Sequence, residues 1–353
     1  MDFLNVTLNG KKYIQRTEFS KIIVIDKQNN ETVYNSLTDL PQEDYELIKD
    51  YMKVLLEPEK YFEYNLLDYN VVITNFINHD LKHLVFPDEI SGLPVTAIRI
   101  QVHDNKLETI TFSDNIHNIT TTTFSDCTNL KSVKLSKNIT VLQANMFKDC
   151  NSLETINTEN LVAIQESALH NCTNLKKLNL EKIEFIECFA MCNCNSITSI
   201  YLPNIRRICD YAFSQCEKLE NVITGDGLIS LGQGAFYKCG NLATVKLSNC
   251  LKAIQNSAFK HCKLLKEFIF PNELLLIEKL AFYDTGLNSA LNFPESLTTI
   301  EDNAFQKCNP SSISISSLTN YSATAFDYES LLKIKSNKKD KNIKDVFKNI
   351  FLR

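Results

Sequence analysis

The chain has 353 residues, 44% of them hydrophobic and 22% charged, with 37 Lys+Arg against 42 Asp+Glu and a formal net charge of -5. This composition is that of a globular protein, and only 8 Gly and 8 Pro exclude a collagen-like or low-complexity chain and count against a glycine-rich phosphate loop. The slightly acidic balance removes any whole-molecule argument for nucleic acid as a partner.

The first residues, Met1 to Lys12, lack a cationic stretch leading into an apolar run, and no 18-residue apolar stretch follows. The expected location is therefore cytoplasmic, with the cell surface, reached without a classical signal peptide, as the alternative. Residues 6–14 and 22–25 read as short strands. Residues 41–56 read as a helix, with Tyr45, Ile48, Met52, Leu55 and Leu56 on one face and Pro58 ending it. Residues 1–74 are expected to form a small α+β cap or domain.

From about residue 75 the sequence repeats itself. One column holds Phe124, Phe147, Leu169, Met191, Phe213, Phe236, Phe259, Phe282, Phe305 and Phe326, at intervals of 21 to 23 residues. Ala precedes it from Ala168 onward. Three residues after it stand Cys127, Cys150, Cys172, Cys194, Cys216, Cys239, Cys262, then Thr285, then Cys308. An alternating apolar pair follows (Ile200/Leu202, Val245/Leu247, Phe268/Phe270), then a turn, then a second apolar pair three apart (Ile205/Ile208, Leu251/Ile254, Leu274/Ile277). A unit this short cannot bury its own core, so its apolar residues must face neighbouring coils of a solenoid. The alternating pair marks a strand, and strands of successive coils, about 4.8 Å apart, would form a parallel sheet. The Asp-x-Ala-Phe-x-x-Cys segment (Asp210 to Cys216, Asp302 to Cys308) is expected to open a short helical or tight turn, with Asp capping exposed N–H groups.

The segments Ile300-Glu-Asp-Asn-Ala-Phe-Gln-Lys-Cys308 and Cys239-Gly-Asn-Leu-Ala-Thr-Val-Lys-Leu247 resemble the BspA-like, or Treponema-type, leucine-rich repeat family, and 92–98 looks like the entry repeat of such an array. The resemblance covers about residues 75–330. It implies a leucine-rich repeat solenoid (α/β class, β-rich), curved into a right-handed superhelix with parallel strands, and a non-catalytic protein–protein or cell-surface interaction role. The expected organisation is 1–74 cap, 75–330 solenoid and 331–353 tail.

The column cysteines read as buried reduced thiols, since Thr285 replaces one without a second change. Cys188, Cys192 and Cys194 do not supply a convincing tetrahedral zinc set, and His79 and His83, four apart, lack a third ligand. No metal, cofactor or catalytic residue is expected. Gly225, Gly227, Gly232 and Gly234 have the wrong spacing for a nucleotide loop, and the register puts the first two in an inter-strand turn. The tail carries Lys333, Lys335, Lys338, Lys339, Lys341, Lys344, Lys348 and Arg353 against Asp340 and Asp345. Its Ile343, Val346, Phe347, Ile350 and Phe351 are spaced as on a short basic amphipathic helix, expected to fold back on the last coil or fray in solvent, with weak membrane-surface contact or docking to a partner groove or nucleic acid as alternatives.

Between the inward residues of each strand, side chains point outward. The expected binding face for a protein partner is that sheet side. One column is Lys134, Asn157, Asn179, Tyr201, Ile223, Lys246, Ile269 and Asn292, and its neighbour is Ser132, Thr155, Lys177, Ser199, Asn221, Thr244, Glu267 and Ala290. Tyr201, Ile223 and Ile269 are the apolar members that argue for contact.

Overall fold

The computed structural model describes residues 4–8, 10–15 and 21–336. The chain forms two compact units, Met1–Thr140 with Met146–Asn160, and Val141–Asn145 with Leu161–Arg353.

The first unit opens with an antiparallel meander of β1 (Leu4–Leu8), β2 (Lys11–Gln15), β3 (Ile22–Ile25) and β4 (Glu31–Tyr34). Alternation sets its core: Tyr13, Ile22 and Val24 are buried with Leu4 and Leu8 against the helix α1 (Gln42–Leu56). Pro58 starts a separate 3₁₀ turn, Pro58–Lys60, beyond the helix end. The buried face of α1 is not the one its apolar spacing suggested. Asp44, Leu47, Ile48, Asp50, Tyr51 and Val54 are buried, whereas Tyr45 and Met52 are half-buried and Leu55 and Leu56 exposed. Two acids lie on the inner face because each is satisfied there. Asp44 accepts from the Tyr13 hydroxyl at 2.8 Å and pairs with Lys11 Nζ at 2.8 Å. Asp50 accepts the backbone N–H groups of Lys82 and His83 and pairs with Lys53 at 3.0 Å. Buried carboxylates are tolerated where such partners replace water.

The same unit then begins the solenoid. His83–Val85, Thr109–Thr111, Ser132–Lys134 and Thr155–Ile156 form one parallel sheet, and Leu93–Ile98 and Asn118–Ile119 extend a second from Val71–Phe76. The first coils thus contribute to two sheets, because the second apolar pair also forms a strand.

In the second unit, Val141–Leu142, Ala163–Ile164, Phe185–Ile186, Arg207–Ile208 and Ser230–Leu231 build one parallel ladder, and Ala253–Ile254, Leu276–Ile277, Thr299–Ile300 and Asn320–Tyr321 another. The ladder of the alternating pairs is interrupted. Ser199–Leu202, Asn221–Thr224 and Thr244–Lys246 pair in register, as do Leu291–Asn292, Ile313–Ile315 and Ile334–Ser336, but residues 266–270 join no named strand. There the pair is Phe268/Phe270, whose rings pack on Phe259, Phe282 and Phe293; residues 178–180, with the pair Leu178/Leu180, join no named strand either.

The Ala-Phe segment is a tight turn, not a helix. In every coil from Phe124 to Phe305 the residues two before and two after the column position adopt φ between 53 and 68°. Around Phe213 these are Tyr211 (φ 54°) and Gln215 (φ 61°). This left-handed pair turns alternate N–H groups toward the next coil: Tyr211, Phe213 and Gln215 donate to Gln233, Ala235 and Tyr237 carbonyls at 2.7–2.9 Å. The polar backbone of a dry turn is satisfied by the neighbouring winding. Carboxylates flank the segment as capping groups: Glu278 accepts the N–H of Asn256, Glu301 that of Lys279, and Asp210 that of Gln233.

The column rings stack in register along the second unit. Phe213–Phe236, Phe236–Phe259, Phe259–Phe282, Phe282–Phe305 and Phe305–Phe326 have centroids 5.0 to 5.5 Å apart and interplanar angles of 13° or less. The cysteine column is buried and its thiols are free. Each of Cys194, Cys216, Cys239, Cys262 and Cys308 donates its S–H to the carbonyl of the column residue of the preceding coil at 3.1–3.2 Å. The slot therefore takes a small apolar side chain that carries a weak donor.

Candidate functional site

The outward face of Ser199–Leu202, Asn221–Thr224 and Thr244–Lys246 includes the longest paired strands of the expected surface. Ile200, Leu202, Val222, Thr224 and Val245 point inward and are buried. Ser199, Asn221 and Thr244 stand opposite one another, and Tyr201, Ile223 and Lys246 form the adjacent row. Neighbouring side chains in such a row are about 4.8 Å apart. Tyr201 is 55% exposed and Ile223 39%, although both sit on hydrogen-bonded strand backbone. Lys177, Asn179 and Glu267 are exposed, and Ile269 is 85% exposed on the strandless stretch beside Phe268 and Phe270.

Lys134 is placed differently. It belongs to the first unit, is half-buried, and its Nζ reaches the Thr7 carbonyl of β1 at 3.4 Å. Val85 and Thr111, which occupy its row in the preceding coils, are buried, and Val85 joins the core of the N-terminal meander. The N-terminal elements therefore cover the sheet face of the first coils. Lys134 lines a cavity of about 480 Å³ there, with Thr7, Tyr51, Phe86, Asp88, Thr111 and Ser113. Asn157, also in the first unit, turns its amide back on Leu135, accepting the Leu135 N–H and donating to its carbonyl.

The chemistry of the thiols is that of packing. Burial pushes the Cys127 and Cys216 thiols up to about 12 and Cys308 to about 11. Burial and the neighbouring Glu187 carboxylate push Cys209 up to about 12. Groups held this far above neutrality are protonated and weakly nucleophilic. Cys250 is exposed. His79 pairs with Asp104 at 2.9 Å, while His83 bonds the Thr109 hydroxyl at 2.9 Å, so the two histidines serve separate local contacts. Among the described residues no three His, Cys, Asp or Glu converge in a metal-ligating group. Gly225 lies in the turn after Asn221–Thr224, where a Cβ would come within 1.9 Å of the Pro203 carbonyl oxygen; close approach of two coils, not ligand binding, requires that glycine.

These features define a parallel leucine-rich repeat solenoid with an outward face of mixed apolar and charged side chains. The sequence matches the BspA type leucine rich repeat region over residues 96–206, 184–309 and 277–353, in six copies, and the chain belongs to that family. Among solved structures it is similar to a leucine-rich repeat protein from Bacteroides ovatus, with a TM-score of 0.57 and 22% identity over 74% of this chain. The match spans 65% of that protein, just under two thirds of its length. It is also similar to the T. pallidum leucine rich repeat protein (TM-score 0.41, 25% identity, 56% of this chain and 83% of that one). A leucine rich cell surface protein from Faecalibacterium prausnitzii gives a TM-score of 0.38 at 19% identity, over 79% of this chain and 93% of that one. No curated protein matches the chain.

Proposed function

We propose that the protein is a non-catalytic scaffold that binds another protein through the sheet face of its second unit, with Tyr201 and Ile223 as the anchors and Lys177, Asn179, Asn221, Lys246, Glu267 and Ile269 around them. The observation that carries this reading is the exposure of Tyr201, Ile223 and Ile269 on one side of a backbone fixed by the coils beneath. Aromatic and aliphatic anchors held on a rigid frame lose little entropy on binding and dominate interface energies. A reducing compartment fits the column thiols, because each S–H donated to a carbonyl would be lost on oxidation. The cell surface is the alternative location. The test is capture of binding proteins by the full chain and by a Tyr201→Ser/Ile223→Ser variant. Capture is expected to be lost with the melting temperature nearly unchanged; a large fall in melting temperature would place both residues in the core and end the reading.

A further inference from the structure

A second surface lies on the turn side of the same unit. Phe189 and Tyr211 stack at 5.2 Å with an interplanar angle of 6°. The row continues edge-to-face through Tyr211–Tyr237 at 6.5 Å, Tyr237–His261 at 5.8 Å and His261–Tyr283 at 5.8 Å. Five rings from five consecutive coils thus form a ridge outside the buried Phe column. None of the five is buried, and Phe189 is 38% exposed. The fold does not ask for them: the positions of Phe189 and Tyr211 are filled by Thr122, Asn145, Ser167 and Gly234 in other coils. Phe189 and Tyr211 moreover hold left-handed backbone (φ 55° and 54°), where a bulky side chain costs energy that glycine avoids.

Cations gather on the ridge. Lys238 Nζ lies 5.3 Å from the Tyr237 ring centroid, and Lys260 and Lys307 lie 5.2 and 5.1 Å from that of Tyr283. Among the described residues none of these three lysines is ion-paired. Two acids lie near Lys307: Asp327 accepts its backbone N–H, and Asp284 is taken by Lys263 and His261, which bond its carboxylate at 2.5 and 2.8 Å, outweigh burial and hold it below the usual carboxylate range. The ridge therefore offers partly exposed rings flanked by the ammonium groups of Lys238, Lys260 and Lys307, the last also bonded to the Tyr283 hydroxyl.

We propose that this ridge is a recognition surface distinct from the sheet face, and that its ligand is an extended acidic polypeptide segment. Four coil steps of about 4.8 Å make it about 19 Å long, the reach of about six extended residues. Carboxylates of such a segment meet Lys238, Lys260 and Lys307, while its apolar side chains lie on the rings, an arrangement that desolvates the cations and strengthens their pairing.

The test is fluorescence anisotropy of a labelled eight-residue peptide of alternating Glu and Leu with the full chain. The Lys-Leu peptide, a sulfated octasaccharide and an eight-nucleotide thymidine strand serve as comparison ligands. The acidic peptide is expected to bind most tightly. Tyr237→Ser/Tyr283→Ser and Lys238→Glu/Lys307→Glu are each expected to weaken it by about tenfold or more. Tyr201→Ser/Ile223→Ser should leave this binding unchanged, so that failure here and failure of the sheet-face reading are separable. The charge-reversal pair changes exposed side chains, which keeps the test valid should the tyrosine pair fold poorly. Absence of binding by the unaltered chain, equal binding by the charge-reversal variant, or tighter binding of the octasaccharide or oligonucleotide overturns the proposal.

Discussion

Replacing Phe236 with Ala removes one ring from the middle of the stack. Phe236 is fully buried and lies between Phe213 and Phe259, 5.5 Å from each, nearly parallel to both. Truncating a buried Phe to Ala costs about 3–5 kcal/mol, part of it the two stacked contacts at about 0.5–1.5 kcal/mol each. Leu169 and Met191 fill the same slot while fully buried, so Phe236→Leu should cost only about 1 kcal/mol. In a solenoid each coil touches its neighbours alone, so the loss should be local. The amides of Phe213 and Phe236, which donate to Ala235 and Ala258, should exchange hydrogen at least about a hundredfold faster in the Ala variant, since 1.4 kcal/mol is about tenfold. The amides of β2 and β3 should keep their rates. Urea denaturation with native-state hydrogen exchange reads both effects. A cost under about 1 kcal/mol for the Ala variant, or a uniform loss of protection through the chain, would refute the account of inter-coil burial.

Thiol reagents should distinguish the cysteines. At pH 8 the exposed Cys250 should react at once, while Cys127, Cys216, Cys239 and Cys308 wait for unfolding; prompt reaction of Cys239 in the folded chain would show that the column is accessible. Stability should also fall with acid through His83. Burial lowers its pKa from the ordinary value of about 6.5, so below that value the unfolded chain takes up a proton that the folded chain refuses. Stability is then fully present above about pH 6.5 and lost as pH falls from there through the lower folded value. Over this range His83→Asn should show a shallower loss in chemical denaturation; an unchanged slope would contradict the assignment.

The repeat was legible because burial fixes residue type. Phe, Ala and Cys recur in the buried slots, and the exceptions, Leu169, Met191 and Thr285, keep the apolar character or the small size that the slot requires. The left-handed positions were not, because Gly234 is the only glycine among those preceding the column, and Tyr211, Ser257 and Leu280 carry no signature of positive φ. The second ladder was hidden by its shortness, two residues per coil. On α1 the apolar period was misleading because Asp44 and Asp50 take inner positions that only the partners Lys11, Tyr13 and the 82–83 backbone make acceptable. Lys134 looked like its repeat equivalents, yet β1 lies over it; docking of the N-terminal meander on the first coils is a long-range contact that no periodicity records. The aromatic ridge escaped notice for a related reason, since its rings come from three different positions of the repeat. The basic segment expected to form an amphipathic helix lies largely in 337–353, outside the described residues.

The sheet-face claim is tested most directly by site-specific photo-crosslinking from the full chain in cell extract. A photoreactive side chain would be placed in turn at Tyr201, at Ile223, and at Arg206, which is exposed immediately before Arg207–Ile208 of the other ladder. The account predicts that Tyr201 and Ile223 crosslink to the same discrete protein and that Arg206 does not. A partner crosslinked from Arg206 and from neither of the other two would contradict it.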